Sequence, residues 1–350
     1  MSRTRGLHRF GRLAAVCLLA AAGATLTLLP PGCDRNNANS GGGGKPKVAY
    51  ITNGVDPFWV IAEKGAKDGA EKFGVDVSVV MPNGSTEQKQ KVEDLLIREI
   101  KGIAISPIDA ENQTPLINQA AAKTNVITHD SDAPKSNRLL YIGMDNYQAG
   151  RMAGQLVKEA IPEGGKVGIF VGRLEQDNAR LRRQGVIDEL LDRPRDPARF
   201  DPPEAEFKDG KYKVLATRTD QFDRAKAKSN CEDMIVANPD LKCVVGLFAY
   251  NPPNCLEAIK KSGKLGQVKL VGFDEQDATL QAIKEGYCHG TVVQNPYMYG
   301  FESMRVLAAL AKGDKSVLDH PDKMMNIPAR QIRKADVDGF WADLKTKTAK

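Results

Sequence analysis

The sequence predicts an α/β protein built as two similar lobes, each with a parallel sheet and helices on both faces. Three observations carry that reading. The chain has 350 residues, enough for two separate cores. Short apolar runs alternate with amphipathic helical stretches over most of its length, the pattern of parallel sheets. The runs fall into two sets of about five, divided near 145–165.

The first run, Val48-Ala49-Tyr50-Ile51, has the length and composition of a strand buried on both faces. A polar turn, Thr52 to Asp56, follows. Asp56 is placed to cap a helix that starts at Pro57, where a missing N–H costs nothing. Ala62, Ala66, Ala70 and Phe73 recur at helical spacing, and Gly74 suits a left-handed stop. The next runs are Val75–Met81, Gly102–Ser106, Val126–Asp130 and Leu140–Asp145. Then come Lys166–Gly172, Val214–Asp220, Cys243–Tyr250, Val268–Asp274 and Gly290–Gln294. Helical signals lie between them, such as Val92, Leu95, Leu96 and Ile100, or Ala227, Cys231, Met234 and Ile235. The stretch Arg193–Lys211, rich in proline and charge, breaks the rhythm and reads as a surface insertion.

Residues 1–32 read as a secretory signal: Arg3, Arg5, Arg9 and Arg12, an apolar run from Leu13 to Leu29, then Pro30-Pro31-Gly32-Cys33. The run falls short of the roughly 20 residues a membrane span needs. Cys33 sits as in a bacterial lipobox, although Pro30 and Pro31 stand where an aliphatic and a small residue are preferred. Lipidation of Cys33 is therefore one expectation, and plain cleavage with a free thiol is the other. Residues 33–44 read as a flexible tether. Without the four arginines of the signal, the net charge of +6 drops to +2. No basic field is left to argue for nucleic acid.

Open α/β sheets bind ligands at the carboxyl ends of their strands. The residues leaving the strands there are Asp56, Phe58, Trp59, Ser106, Asp109, Asp130, Arg180, Arg182, Phe222, Asn251, Asp274 and Gln294. Most form several hydrogen bonds, and the aromatics add flat apolar faces. That mixture suits a ligand such as a sugar. Each has a plainer reading. Asp56 and Asn251 would serve as helix caps, Phe222 as core, and Arg182 as part of a solvated charged face. Asp130 and Asp274 are the hardest to explain without a ligand, since each closes an apolar strand. There is no nucleophile–base pair. His8, His129, His289 and His320 are scattered, and Gly168–Gly172 lies inside a strand without dinucleotide spacing. No catalysis, metal or cofactor is expected.

Cys17 leaves with the signal. Cys231 and Cys243, joined by a short turn, form a candidate disulfide in an exported protein; the alternative is two buried thiols. A Cys255–Cys288 bond is disfavoured, because one lies near the top of a helix and the other near the bottom of a strand.

From about Lys45 to Lys345 the chain resembles the type I periplasmic sugar-binding proteins, the ribose-binding branch of bacterial ABC-transporter receptors. The motifs are Asp56-Pro57-Phe58-Trp59, Val126-Ile127-Thr128-His129-Asp130, Asp145-Asn146-Tyr147-Gln148-Ala149-Gly150 and Ala179-Arg180-Leu181-Arg182. They continue with Phe222-Asp223, Val271-Gly272-Phe273-Asp274 and Gly290-Thr291-Val292-Val293-Gln294. The resemblance implies that Phe58, Trp59 and Phe222 sandwich a sugar ring. It implies that Asp56, Asp130, Arg182, Asn251, Asp274 and Gln294 bond its hydroxyls. Ser106 departs from an amide in the ribose receptors, and Ser131 from an arginine, so the sugar itself stays open.

The resemblance further implies Rossmann-like lobes joined by a three-segment hinge, with crossings near Met144–Asp145, Gln294–Asn295 and Pro328–Gln331. The lobes would be 45–144 with 295–329, and 145–294 with 330–350. Such a protein is a monomeric receptor of a carbohydrate ABC importer in the periplasm or cell envelope. It holds a pentose or hexose between closing lobes and delivers it to a membrane permease. The alternative is a sensor that presents the same closed form to a chemotaxis or two-component receptor. A repressor core shares the fold, but it carries a DNA-reading helix pair where this chain has its signal.

Overall fold

The computed structural model describes residues 44–348. The signal segment, Cys17, Cys33 and most of the tether lie outside the described residues. The chain opens with β1 (Lys47–Ile51), α1 (Pro57–Phe73), β2 (Asp76–Val80), α2 (Ser85–Ile97), β3 (Gly102–Ile105), α3 (Thr114–Ala121), β4 (Asn125–His129) and β5 (Tyr141–Gly143). A second run follows: α4 (Asn146–Ala160), β6 (Gly165–Val171), α5 (Asp177–Leu190), β7 (Phe207–Asp209), β8 (Tyr212–Val214) and β9 (Arg218–Thr219). It continues with α6 (Arg224–Ala237), β10 (Leu241–Gly246), α7 (Asn251–Lys261), β11 (Lys269–Phe273), α8 (Asp277–Glu285) and β12 (Gly290–Val293). The chain ends with α9 (Pro296–Ala311), β13 (Met324–Asn326), β14 (Arg330–Arg333) and α10 (Val337–Thr348).

The strands form two sheets, each with helices on both faces. The first has the order β13-β5-β4-β3-β1-β2 and is parallel throughout. The second runs β14-β12-β11-β10-β6-β8-β7, with β9 also paired to β6. Only its two ends are antiparallel, where β14 meets β12 and β7 meets β8. The chain passes from the first sheet to the second after β5, returns through α9 after β12, and crosses again between β13 and β14.

Local chemistry accounts for the elements. In β1 only Lys47 is exposed, and Val48 to Ile51 are buried, as a strand covered by helices on both faces requires. Asp56 Oδ1 accepts from Phe58 N at 3.1 Å to start α1, and Gly74, at φ 73°, ends it in the left-handed region. Asp145 starts α4 in the same way, accepting from Gln148 N at 2.9 Å.

The insertion is packed more deeply than a surface loop. Arg183, fully buried, donates to the carbonyls of Asp201 (2.7 Å) and Pro202 (3.0 Å) and to Thr217 Oγ1 (2.7 Å). The end of the insertion forms the β7–β8 hairpin at the sheet edge, and the run expected over Val214–Asp220 is split between β8 and β9. Proline and charge on the insertion's surface concealed this packing.

The expected Cys231–Cys243 disulfide is not formed; Cys231, Cys243, Cys255 and Cys288 are buried free thiols. The strand's two-residue period explains why. Cys243 points with Val245 and Leu247 into the core under α4 and α5. Cys231, on α6, packs on the other face of the sheet with Val244 and Cys255. A sheet separates the two sulfurs.

Two helix pairs approach so closely that only glycine fits between them. A Cβ on Gly65 of α1 would lie 1.9 Å from the Tyr297 carbonyl of α9. One on Gly150 of α4 would lie 2.1 Å from the Arg182 carbonyl of α5. Gly150→Ala is expected to cost about 1–3 kcal/mol through overpacking, read as a lower urea midpoint at unchanged slope. A midpoint unchanged within error would mean that the α4–α5 contact is looser than it looks.

Candidate functional site

The carboxyl ends of strands from both sheets meet around a cavity of ≈ 240 Å³. Asp56, Phe58, Trp59, Asp130, Arg182, Phe222, Asp274 and Gln294 all line it. Ser106 and Asn251 stand one layer behind. Ser106 Oγ donates to Asp130 Oδ2 at 3.0 Å. Asn251 Nδ2 donates to Asp220 Oδ2 at 2.8 Å, while its Oδ1 accepts from Phe248 N at 3.0 Å.

Asp130 and Asp274 occupy equivalent places, one residue past β4 and β11. Both have left-handed backbone, φ 58° and 66°, which an L-residue adopts only where its surroundings hold it. The holding groups match. Tyr141 donates its hydroxyl to the Asp130 carbonyl, and Thr291 donates its own to the Asp274 carbonyl, both at 2.8 Å. Neighbouring strands take the two backbone N–H groups, at Ile142 O (3.1 Å) and Val292 O (2.8 Å).

The side chains are held at one oxygen each. Asp130 Oδ2 accepts from Asn53 (3.2 Å), Ser106 (3.0 Å) and Asn178 (3.1 Å), and its Oδ1 lies 3.8 Å from the Arg182 guanidinium. Burial pushes its pKa up, and Arg182 and these donors oppose the rise. Asp274 Oδ1 accepts from Gln294 Nε2 at 2.7 Å. With fewer donors, its burial wins and its pKa is pushed up to about 7. Asp56 differs: Oδ1 caps α1, and Oδ2 pairs with Arg224 at 2.8 Å, joining α1 to α6 across the cleft.

Arg182 is 1 % exposed. Its Nε donates to Asn146 Oδ1 at 2.9 Å and one terminal nitrogen to the Leu247 carbonyl at 3.3 Å. The guanidinium lies 4.4 Å from the Phe273 ring centroid and 5.6 Å from that of Phe248. The apolar surfaces come from both sheets. Phe58 and Trp59 meet edge-to-face at 4.9 Å on one side, and Phe222 stacks on Phe248 at 5.5 Å on the other. Phe222 is exposed and also left-handed, at φ 66°. Sugar rings suit such a mixture, since hydroxyls need paired donors and acceptors while C–H faces need flat apolar cover.

Sequence reading did not single out Asn53, Arg173, Gln176, Asn178, Arg224, Phe248 or Tyr250, which also line the cavity. Several carried a usable signal. Asn53 lies in the first turn, Asn178 directly before the Ala179-Arg180 motif, and Phe248 and Tyr250 directly before Asn251. Arg173 and Gln176 lie in a loop with no pattern of its own.

A periplasmic binding protein domain model matches residues 48–315. The chain is 30% identical over 285 residues to the ribose import binding protein of Salmonella typhimurium, covering 79% of this chain and 88% of the relative. It is 25% identical over 274 residues to the D-allose-binding periplasmic protein of Escherichia coli K12, covering 75% of this chain and 83% of the relative. Among solved structures, an ABC-transporter solute binding protein from Burkholderia graminis, in complex with D-arabinose, superposes with a TM-score of 0.75. It is 28% identical, and the match spans 84% of this chain and 97% of that one. Two sheets of parallel strands, a cavity at their carboxyl ends and this extent of similarity lead to one assignment: the chain belongs to the periplasmic binding protein family.

Proposed function

We propose that this chain is the solute-binding receptor of a carbohydrate ABC importer, capturing a pentose or hexose and delivering it to a membrane permease. The observation that carries the reading is the matched pair Asp130 and Asp274. Each is held in a left-handed backbone, with one carboxylate oxygen bonded to the protein and the other left without a hydrogen bond beside the cavity. The relatives named for ribose and allose, and the solved relative in complex with D-arabinose, support the same class of ligand.

In this reading the lobes are 45–144 with 295–329, and 145–294 with 330–350, and they close as a hinge on the ligand. Phe58, Trp59 and Phe222 cover the ring. Asp130, Arg182, Asp274 and Gln294 bond its hydroxyls, with Ser106 and Asn251 setting the geometry of Asp130 and of the Asp220 network. Asp56 both reaches the ligand and, through Arg224, latches the lobes. The protein acts by binding alone, as a monomer, anchored at the cell envelope through a lipidated Cys33. Loss of the membrane-bound form on Cys33→Ala would support the anchor, and an unchanged distribution would refute it.

A thermal-shift screen of pentoses, hexoses, deoxy-sugars and polyols is expected to give a selective rise in the midpoint, because such a ligand binds only the folded state. Asp274→Ala should then weaken that sugar by about 1.5–3 kcal/mol, roughly 10- to 150-fold. A loss below twofold would sink the assignment of this residue.

The pH dependence follows from Asp274. Its folded pKa, about 7, lies above the ordinary value of 3.8, so the folded protein holds a proton that the unfolded chain has lost between them. The stabilisation is complete below 3.8 and disappears as pH rises through 7. Asp220, pushed up to about 6 by burial, adds a second contribution of the same sign. His129, whose pKa burial lowers to about 3, contributes the opposite slope in both proteins, so the test is the difference. From pH 4 to pH 7 the ligand-free melting midpoint should lose ground relative to that of Asp274→Asn, and parallel pH profiles would contradict this.

A further inference from the structure

The loop between β6 and α5 brings two polar side chains to the cavity that no hydroxyl-binding pattern requires. Arg173 lies with its guanidinium 4.9 Å from the Phe222 ring centroid and donates only a long bond, 3.4 Å, to the Gln221 carbonyl. Its Nε is buried without a partner, and among the described residues no carboxylate pairs with it. The other two lining arginines face a carboxylate. Arg182 lies 3.8 Å from Asp130, beyond hydrogen-bond reach and with that terminal nitrogen still unpartnered among the described residues, and Arg224 pairs with Asp56 at 2.8 Å. Arg173 is the lining cation left without a counter-charge.

Gln176 stands at the start of α5. It is fully buried and lines the cavity, yet neither atom of its amide has a hydrogen-bond partner among the described residues. It occupies the cap position of this 14-residue helix without capping it. A buried amide with both ends unmet is costly, and an uncapped first turn leaves N–H donors and the positive end of the helix dipole at the same place. The stranded cation, the stranded amide and the open helix end together make a donor-rich site, and the carboxylate in that first turn, Asp177, is paired with Arg180 at 3.1 Å.

We propose that Arg173, Gln176 and the first turn of α5 form an anion-recognising subsite at the Phe222 end of the cavity, and that the preferred ligand is a monosaccharide bearing a carboxylate. The proposal rests on the reading of the cavity as a monosaccharide site and narrows it to sugar acids. A carboxylate suits the place because a planar guanidinium can offer it two parallel donors, and an amide N–H can add another.

The test is calorimetric titration of the purified protein with matched pairs at pH 7: galactose and galacturonate, glucose and glucuronate, ribose and ribonate, with glucose 6-phosphate and ribose 5-phosphate alongside. At least one acid should bind roughly 10- to 100-fold more tightly than its neutral parent, a margin set by one charge-assisted contact, and the margin should narrow with added salt. Arg173→Met should erase the margin between acid and neutral parent, and Arg173→Lys should restore part of it. The half-exposed position of Arg173 makes folding of both variants straightforward to verify by melting. Neutral sugars bound as tightly as, or more tightly than, every acid would overturn the proposal while leaving the monosaccharide receptor intact. A sugar phosphate preferred over the acids would overturn the carboxylate assignment. No binding by neutral or acidic sugars would overturn the receptor reading itself, and the subsite with it.

Discussion

A guanidinium with 1 % exposure governs the architecture of the cleft. Removing Arg182 from water is tolerable only where carboxylates, carbonyls and ring faces replace its hydration. Here those replacements come from elements far apart in sequence: Asp130 after β4, Asn146 opening α4, the Leu247 carbonyl after β10, and Phe273 at the end of β11. Arg182 can reach them all because α5 lies against α4 with no side chain between, the Arg182 backbone resting on Gly150. A packing constraint between two helices thus positions the charge, and the charge in turn requires acidic and carbonyl groups to converge on it.

The same logic explains the backbone strain. Asp130 and Asp274 would relax to ordinary φ values if nothing opposed it, at a gain of order 1–3 kcal/mol each. Each is instead fixed by a hydroxyl on its carbonyl and a strand carbonyl on its N–H. Two sheets with different neighbours have arrived at the same arrangement. A structural cap would need no such strain, since Asp56 and Asp145 cap α1 and α4 with φ of −154° and −68°. Asp192 and Asp322 are left-handed too, but in exposed turns, whereas Asp130 and Asp274 keep the strain while buried at the cavity.

Most of this was legible in the sequence for a physical reason. Strand ends, caps and aromatic pairs are local features, and alternating apolar runs fix which end of a sheet they occupy. The α/β class and eight cavity-lining residues, from Asp56 to Gln294, followed from that periodicity and from the family's motifs. What could not be read is what depends on side-chain direction across a sheet. Cys231 and Cys243 are twelve residues apart along the chain, but they face opposite cores. Arg183 looked like the solvated neighbour of Arg182 and is fully buried in the insertion's carbonyls. β13 and β14 were missed because each is a short edge strand of three or four residues with little apolar pattern.

The division of labour among the three aspartates separates latch from receptor. Asp130 gives one oxygen to three protein donors, and Asp274 gives one to Gln294, so each keeps its second oxygen without a hydrogen bond at the cavity. Asp56 keeps neither, since the α1 cap takes one and Arg224 the other. A ligand hydroxyl that reached Asp56 would have to displace one of these bonds, whereas at Asp130 and Asp274 it would meet an acceptor already oriented and still unfilled. Orientation by the protein lowers the entropy that binding must overcome, and that advantage belongs to the two strained aspartates. Asp56 instead gives both oxygens to protein partners, the first turn of α1 and Arg224 of α6. Selectivity must therefore arise where unmet groups remain, around the free oxygens of Asp130 and Asp274 and along the loop that leads into α5.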